Sequence, residues 1–413
     1  MLPDAGSDAG TPDAGRIDGG LDAGTPDAGT PDAGVPDAGA DAGSLDAGSP
    51  DAGSPDAGPR DAGIAGTAQS TLAPTGAPGC DGIFPATLPE PRTVTWELNY
   101  DRGQGNWFVG ATGVDGEGDI ALAFDSDHSS YPYDENRIAV RTLDGADAGG
   151  VSGFVIAMRD RGFITFHPAV DYGQASLINA WTRDGDAGYL HTGTIYPSER
   201  YETHRCSYAL GTTGSLKAEC WQADAGSTLQ AYDDSIHPVG TPSTVPDGGG
   251  LAALDDRWTL LERAPDLHWI NPDGTRRSGA VLDGGFPSGA RPLIGGGFDL
   301  PDGVLAADAT QLSPRPAWLS ANDKRPLVIL RGRRAYAIPS YAGDPGGQCQ
   351  RQIEVLLPDG TSCGKLQIRE PQDCDGGVPL VNPSGTILEP VPLDLYDGGT
   401  RTVAYRVWVR LLQ

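Results

Sequence analysis

From about residue 78 to the C-terminus, short runs of alternating hydrophobic and polar residues are separated by Gly, Pro, Asp and Asn. Turn signals recur every 8–12 residues or so, a spacing that predicts many short strands and no long amphipathic helix. The pattern therefore predicts an all-β fold, namely a sandwich, a barrel or a propeller. The clearest predicted strands are 107–109, 119–124, 138–142, 154–158, 163–166, 327–330 and 403–409.

Internal repeats favour one of these architectures. IAVRTLDG at 138–145 and INAWTRDG at 178–185 agree at four of eight positions, and an Asp-Ala-Gly tripeptide follows each closely. The aromatic residues Trp107, Phe154 and Tyr201 are evenly spaced by 47 positions. A period of about 40–50 residues with four strands is typical of propeller blades.

The length of the β-rich part allows about six or seven such blades. We predict that a C-terminal strand at 403–409 joins a strand at 93–98, which would close the ring and protect the sheet edges. The alternative is a pair of β-sandwich domains. The Asp-Ala-Gly tripeptides at 147–149, 186–188 and 224–226 are expected in exposed turns that tolerate deletion.

The first 63 residues have a different composition: almost only Asp, Ala, Gly, Pro, Ser and Thr, without an aromatic residue. Such a segment cannot bury enough apolar surface to offset its ordering entropy, so it is predicted to be a disordered, acidic spacer. The sequence divides into a linker at 1–77 and a β-rich domain at 78–413. An Asp-based Ca²⁺ repeat is the rejected alternative, because one Asp per five residues does not bring several oxygens together.

Charge excludes some partners. The formal net charge is −27, which disfavours nucleic acid and anionic membrane surfaces as ligands. No apolar run is long enough for a transmembrane helix. We expect a monomer.

The linker units at 26–29 and 31–34, both Pro-Asp-Ala-Gly, resemble the linkers of surface lipoproteins from high-GC Gram-negative soil bacteria. The similarity covers about 63 residues and is compositional. In those proteins a lipidated cysteine precedes the linker and a β-rich domain follows it. The resemblance implies an extracellular or outer-surface location, with a signal peptide or lipid anchor upstream of Met1.

Six cysteines, all between Cys80 and Cys374, favour disulfides and an oxidising compartment. Cys206 and Cys220 lie at equal distances from a predicted turn near Thr213, which places them opposite each other on a hairpin.

The remaining four cysteines allow three connectivities. A hairpin that turns at Asp359-Gly360 places Cys349 across from about Arg369, near Cys374. This register favours Cys349–Cys374, which leaves Cys80–Cys363 as the last pair.

Catalytic motifs are absent from the sequence: it contains no H-E-x-x-H, no G-x-S-x-G and no P-loop. Residues 116–121 loosely match a dinucleotide-binding fingerprint, and residues 360–365 are one residue short of P-loop spacing. We predict that the first segment is a turn and that the second is part of a hairpin. Six scattered histidines lack metal-ligand spacing. The basic run at 324–334 is predicted to be a solvated strand face, with an anion or glycan patch as the alternative.

Asp115, Glu117 and Asp119 are the weak candidates for a metal site. Carboxylates on a tight glycine turn supply the oxygen ligands that Ca²⁺ prefers, although solvated turn carboxylates explain the same pattern. We expect no other cofactor and no catalytic residues.

Together these features predict a surface-displayed, non-catalytic binding or scaffolding module with an unknown protein or glycan ligand. The alternative is a secreted glycan hydrolase or lyase. A glycosidase would need two carboxyl groups about 5–9.5 Å apart in one cleft.

Overall fold

The chain divides into two units, Met1–Ala57 and Gly58–Gln413, and every residue described below belongs to the second. The computed structural model describes residues 69–99, 106–126, 137–144, 146–152, 154–167, 177–184, 189–195, 204–210, 216–222, 226–233, 235–245, 250–254, 259–263, 266–270, 276–281, 290–306, 311–332, 334–343, 349–370, 378–397 and 400–413. Residues 1–68 of the predicted linker lie outside the described residues.

The described residues form strands almost throughout. The first fourteen are β1 (Gln69–Pro74), β2 (Arg92–Asn99), β3 (Asn106–Val114), β4 (Ile120–Ser126), β5 (Arg137–Arg141), β6 (Asp147–Ser152), β7 (Phe154–Arg159), β8 (Gly162–His167), β9 (Leu177–Arg183), β10 (Tyr189–Ile195), β11 (His204–Leu210), β12 (Leu216–Gln222), β13 (Gly226–Tyr232) and β14 (Pro238–Val245). They are followed by β15 (Gly250–Leu254), β16 (Thr259–Arg263), β17 (Asp266–Ile270), β18 (Arg276–Val281), β19 (Arg291–Pro292), β20 (Gly297–Leu300), β21 (Gly303–Ala306), α1 (Ala317–Ala321), β22 (Val328–Ile329), β23 (Tyr336–Gly343), β24 (Cys349–Leu356), β25 (Ser362–Glu370), β26 (Leu380–Val381), β27 (Ile387–Asp397) and β28 (Thr400–Trp408).

These strands pair into small antiparallel sheets, so the all-β prediction is confirmed. Within the described ranges there are seven: sheet I (β3-β4-β5-β6), sheet II (β7-β8-β9-β10), sheet III (β11-β12-β13-β14), sheet IV (β15-β16-β17-β18), sheet V (β19-β20-β21), sheet VI (β1-β25-β24-β23-β22) and sheet VII (β2-β28-β27-β26). No described helix is long and apolar enough to cross a bilayer.

The two ends of the β-rich part meet in sheet VII. Strand β2 pairs with β28 from Arg92 opposite Val407 to Asn99 opposite Thr400, which confirms the predicted pairing of the 93–98 and 403–409 segments. Sheet VII is thus built from a strand near residue 95 and three strands beyond residue 379.

Strand β1 corrects the predicted boundary at residue 78. It lies inside the range assigned to the linker, yet it pairs with β25 over its whole length, from Gln69 opposite Arg369 to Pro74 opposite Gly364. Its neighbours in sequence are rich in Ala, Gly and Pro, which is why composition alone assigns it to the linker.

Buried apolar clusters join several of the sheets to a neighbouring sheet. Sheets VII and I share a core with Tyr405 and Val114, sheets I and II share one with Val140 and Phe163, and sheets II and III share one with Ile178 and Leu216. Removing this apolar surface from water is the main favourable term that holds the sheets together.

Neighbouring sheets also contact each other further along the chain. Strand β11 contacts β15 and β15 contacts β19, which links sheets III, IV and V. Leu293 of the β19–β20 turn packs with Ile338 in sheet VI. Ile353 of sheet VI packs with Ile387 and Trp408 of sheet VII.

The sequence repeat corresponds to equivalent strands. Its two copies contain β5 and β9, which are the third strands of sheets I and II. Trp107 and Phe154 lie in the first strands of the same sheets, whereas Tyr201 is outside the described residues.

The Asp-Ala-Gly tripeptide at 147–149 is not an exposed turn. It forms the start of β6, where Asp147 pairs with Arg141, and Ala148 is buried in the core between sheets I and II. The copies at 186–188 and 224–225 lie outside the described residues.

One disulfide is described, and it joins Cys80 to Cys363 in β25, with the two Cα atoms 5.2 Å apart. Cys206 and Cys220 are direct partners in the β11–β12 register, so the backbone brings them opposite each other as expected. The side chains of that pair are not among those described, and the bond between them stays a prediction.

Cys349 lies opposite Glu370, one residue from the predicted Arg369. A bulge between Val355 and Leu356 shifts the hairpin register by that residue. Cys374 lies outside the described residues, so its pairing with Cys349 also stays a prediction.

Candidate functional site

The turn at 115–119, which connects β3 to β4, holds the weak metal candidates. The Asp115 backbone N–H donates to the Asp119 carbonyl oxygen at 2.9 Å, and Gly118 N–H donates to Asp115 at 3.1 Å. The Asp115 Oδ1 atom accepts hydrogen bonds from the N–H groups of Glu117 and Asp119, both at 2.9 Å. Asp is favoured here because its side chain caps the turn, and Gly118 supplies the positive φ of 96°.

Two residues of sheet II complete this site. The Tyr189 hydroxyl oxygen lies 2.8 Å from Asp115 Oδ2 and 2.9 Å from Asp119 Oδ2. Arg183 forms an ion pair with the same Asp119 oxygen. The Tyr189 ring is positioned by Phe163, with ring centroids 5.6 Å apart.

The hydroxyl of Tyr189 has one proton, so it can donate to only one of the two carboxyl groups. The second short oxygen–oxygen contact is favourable when the other carboxyl carries a proton and donates it. Both aspartates are fully buried. The geometry therefore fits a cluster that retains one carboxyl proton.

Burial is also the first cause of the shifted pKa values. It raises the pKa of Asp115 to about 7, and the neighbouring charge of Asp119 adds to the shift. Burial likewise raises the pKa of Asp119, while Tyr189 and Arg183 oppose that change. Desolvation together with the two carboxylates raises the pKa of the Tyr189 phenol, so this hydroxyl stays protonated.

Loops of other sheets enclose the turn. Asn382, between β26 and β27, donates from Nδ2 to the carbonyl oxygens of Val114 and Arg159 at 2.9 and 3.0 Å. Thr386 donates to the Gly116 carbonyl oxygen at 2.9 Å. A Cβ atom at Gly116 would lie 2.8 Å from the Asp160 Cα, so the packing there leaves no room for a side chain.

The favoured interpretation of solvated turn carboxylates is wrong for Asp115 and Asp119, which are buried, and the geometry does not favour the weak Ca²⁺ alternative either. The Asp115 oxygens accept from protein donors, Asp119 Oδ2 is paired with Arg183, and Glu117 pairs with Arg161 at 3.3 Å. A cation would require these oxygens to converge on one point. Among the described residues, no group of three or more His, Cys, Asp or Glu side chains has a metal-binding arrangement.

The basic run at 324–334 makes internal contacts. Arg325 donates to Asn322 Oδ1, Arg331 pairs with Asp160, and Arg334 donates to the Gly79 carbonyl oxygen. The Arg331 side chain stays 70% exposed, as a solvated face predicts, but of the described residues of the run only Val328–Ile329 form a strand.

Two further buried ion clusters were not predicted. Asp299 is buried between Arg291 and Arg315, and Arg291 also donates to the carbonyl oxygens of Asn322 and Arg325. In the second cluster, Glu389 of sheet VII accepts from Arg406 of its own sheet and pairs with Arg351 of sheet VI. Both clusters connect neighbouring elements, as buried charges require paired partners.

Sequence reasoning found Asp115, Glu117 and Asp119 but missed Tyr189, Arg183 and Asn382. The three missed residues come from other sheets or from the far end of the chain. Their contacts depend on how sheets I, II and VII pack, and no local pattern encodes that.

Neither a protein-family model nor a curated protein matches the chain. Among solved structures, the chain is similar to an uncharacterized protein, lmo1340, from Listeria monocytogenes EGD-e, with 6% identity over 69% of this chain and 74% of that chain and a TM-score of 0.28. It is also similar to the WD40 domain of SCAP from fission yeast, with 10% identity over 74% of this chain and 83% of that one and a TM-score of 0.28.

Proposed function

We propose that the seven sheets form a closed ring, a seven-bladed β-propeller. Each sheet contacts the next in chain order from I to VII, and sheet VII contacts sheet I through the core that holds Tyr405 and Val114. The pairing of β2 with β28 is the observation that carries the proposal, because a ring closes when the first and last parts of the chain share a sheet.

Electron microscopy of the purified chain tests the ring. Two-dimensional class averages are expected to show a single particle with seven radial densities. A two-lobed particle would support the pair of β-sandwiches instead.

We further propose that this ring is a non-catalytic binding or scaffolding module held on an acidic spacer. The Asp115–Asp119 pair supports a module without glycosidase activity. Its carboxyl groups are fully buried and engaged by Tyr189, Arg183 and backbone N–H groups, whereas glycosidase carboxylates flank a sugar in an open cleft.

Binding and cleavage can be measured together on a panel of soluble polysaccharides. Affinity electrophoresis reports binding, and a reducing-end assay with ultraviolet detection of unsaturated sugars reports hydrolysis or lyase activity. We expect the polysaccharide to retard migration of the protein and no new reducing ends to appear. New reducing ends or unsaturated products would favour the enzyme alternative, and neither signal would remove glycans as the ligand class.

The proposed location is the outer cell surface or the extracellular space. The Cys80–Cys363 disulfide supports it, since such bonds persist in oxidising compartments. Labelling of intact host cells with a membrane-impermeant amine reagent should modify the protein. Labelling only after lysis would contradict the location.

A further inference from the structure

The segment between the predicted spacer and strand β2 is attached to sheet VI by strand pairing, hydrogen bonds and a disulfide. We call residues 69–91 the strap; it comprises β1 and the chain that leads to β2. Thr75 donates from its backbone N–H to the Cys363 carbonyl oxygen at 3.0 Å and from its hydroxyl to the Ser362 carbonyl oxygen at 2.6 Å. Five residues further along, the disulfide joins the strap to β25 covalently.

The core of sheet VI is shaped to receive the strap. Gly364 in β25 has a φ of 136°, and a Cβ atom there would lie 2.5 Å from the Ala73 carbonyl oxygen. Cys80 and Ile83 are buried, and Leu72 and Phe84 pack against the same cluster. Only a glycine at position 364 allows β1 to lie this close.

The strap also crosses from sheet VI to sheet VII. Ile83 accepts a hydrogen bond from the Gln413 N–H at 3.1 Å, and the Pro89 carbonyl oxygen accepts one from Trp408 Nε1 at 3.1 Å. Strand β2 begins directly after these contacts, at Arg92.

The chain order decides where a pulling force would act. If the chain before Gln69 were joined directly to β2, tension would load the β2–β28 hydrogen bonds one pair at a time, beginning at Arg92. Single hydrogen bonds contribute only about 1 kcal/mol each, so a strand pulled from its end separates readily. The disulfide lies upstream of β2 and connects to β25 instead.

We propose that the strap and its disulfide divert tension from the N-terminal segment into β25, so that β2 is not pulled away from β28. Residues between Cys80 and Arg92 then carry no load, because the covalent path leaves the strap before them. This role rests on one part of the proposed function, namely that the segment before Gln69 is a spacer through which the domain is tethered.

An optical-trap measurement on the full chain tests this role. One handle is attached at the N-terminus and the other at position 365 through an azide-bearing residue, which removes only the half-exposed Lys365–Glu354 ion pair. In the wild-type chain, release of β1 can lengthen the path only up to Cys80, by at most about 40 Å. In the double variant Cys80→Ser/Cys363→Ser, release continues through β2 and lengthens the path by about 110 Å or more.

The matched control is Cys206→Ser/Cys220→Ser, which removes two cysteines from sheet III and should behave as the wild type does. If the Cys80→Ser/Cys363→Ser variant does not fold, the folded wild-type chain is pulled before and after addition of a dithiol. The dithiol is oxidised to its cyclic disulfide as Cys80 and Cys363 become thiols. A long release in the untreated wild type, or no long release after loss of the disulfide, would overturn the proposal. No ligand is involved, so a negative polysaccharide screen would leave this result unchanged.

Discussion

The buried cluster of Asp115, Asp119 and Tyr189 should make stability depend on pH, because its geometry fits one carboxyl proton that the folded protein retains. The pKa of Asp115 is about 7 in the folded protein and near 3.8 when unperturbed. As the pH rises from about 4 to 7, the unfolded chain loses this proton first, so the stabilisation present at low pH is progressively lost. We expect the free energy of unfolding to fall across this window by an amount on the order of a few kcal/mol.

Replacing Asp115 by Asn tests this dependence. The amide keeps an acceptor for the N–H groups of Glu117 and Asp119 and does not titrate, whereas the buried Asp119 remains. The loss of stability between pH 5 and pH 8, measured by urea denaturation, should therefore be clearly smaller than in the wild type. Asp359→Asn is the control, because Asp359 also caps a turn but is fully exposed and has a lowered pKa. An unchanged pH slope in Asp115→Asn would show that another group is responsible.

Among the glycines that the structure describes, Gly385 is the one at which an added methyl group would collide most severely. Its φ is 82°, and a Cβ atom would lie 1.7 Å from the Leu412 carbonyl oxygen. Leu412 also donates its N–H to the Gly385 carbonyl oxygen at 3.2 Å, so the C-terminal segment must move to admit a methyl group.

Gly385→Ala is therefore expected to destabilise the protein by about 3 kcal/mol or more in chemical denaturation. Gly240→Ala is the control that separates backbone strain at a positive φ from a steric collision. Gly240 has a φ of 73°, and no atom lies within 4 Å of the added carbon. That control should cost only about 1 kcal/mol. Equal losses in the two variants would argue against the collision with Leu412.

At the scale of the element, strand β6 gives a direct test of the tripeptide. Deleting residues 147–149 removes Ala148 from the core between sheets I and II and destroys the pairing of β6 with Arg141 and Val140. We expect a loss of about 2 kcal/mol or more, measured from the denaturation midpoint. Deleting the identical tripeptide at 27–29, in the predicted spacer, should leave the midpoint unchanged. A neutral deletion at 147–149 would restore the interpretation of the tripeptide as a free turn.

The strands that sequence predicted well share a strong local signal. The copies at 138–145 and 178–185 identified equivalent strands because alternating side chains and Asp-Gly turns are local properties. Strand β1 and the start of β6 were missed because Ala, Gly and Asp are poor strand formers, and only pairing with β25 or β5 holds them extended.

The site was predictable only in part, for a related reason. The Asp-Gly-Glu-Gly-Asp segment at 115–119 is recognisable as a turn, but its burial is not, since polar turns are normally solvated. Tyr189 and Arg183 reach it from sheet II, and Asn382 from a turn that lies far away in sequence. Contacts between sheets decide such a site, and a single sequence carries no periodicity for them.

For the whole molecule, the N-terminal strand of sheet VII should decide whether the fold exists. The chain 69–413 keeps every described contact and should melt at the temperature of the full chain. A chain that starts at residue 100 loses the strap with its disulfide to Cys363 and, in addition, β2 with Val94 and Trp96, and it exposes the edge of β28. Burial of one such side chain contributes roughly 2–3 kcal/mol, so this truncation should abolish cooperative unfolding in calorimetry. Retention of a sharp transition would count against ring closure by β2.

The pairing of β2 with β28 also sets an order of events when the chain enters the compartment where it folds, N-terminus first. Strand β2 arrives early, and its partner at Thr400–Trp408 follows only after about 300 further residues. The disulfide partner of Cys80 is likewise distant, 283 positions along the chain. Sheets I to IV can therefore form while two N-terminal strands still lack their partners, and the slowest step of folding should be the final docking of the C-terminal strands.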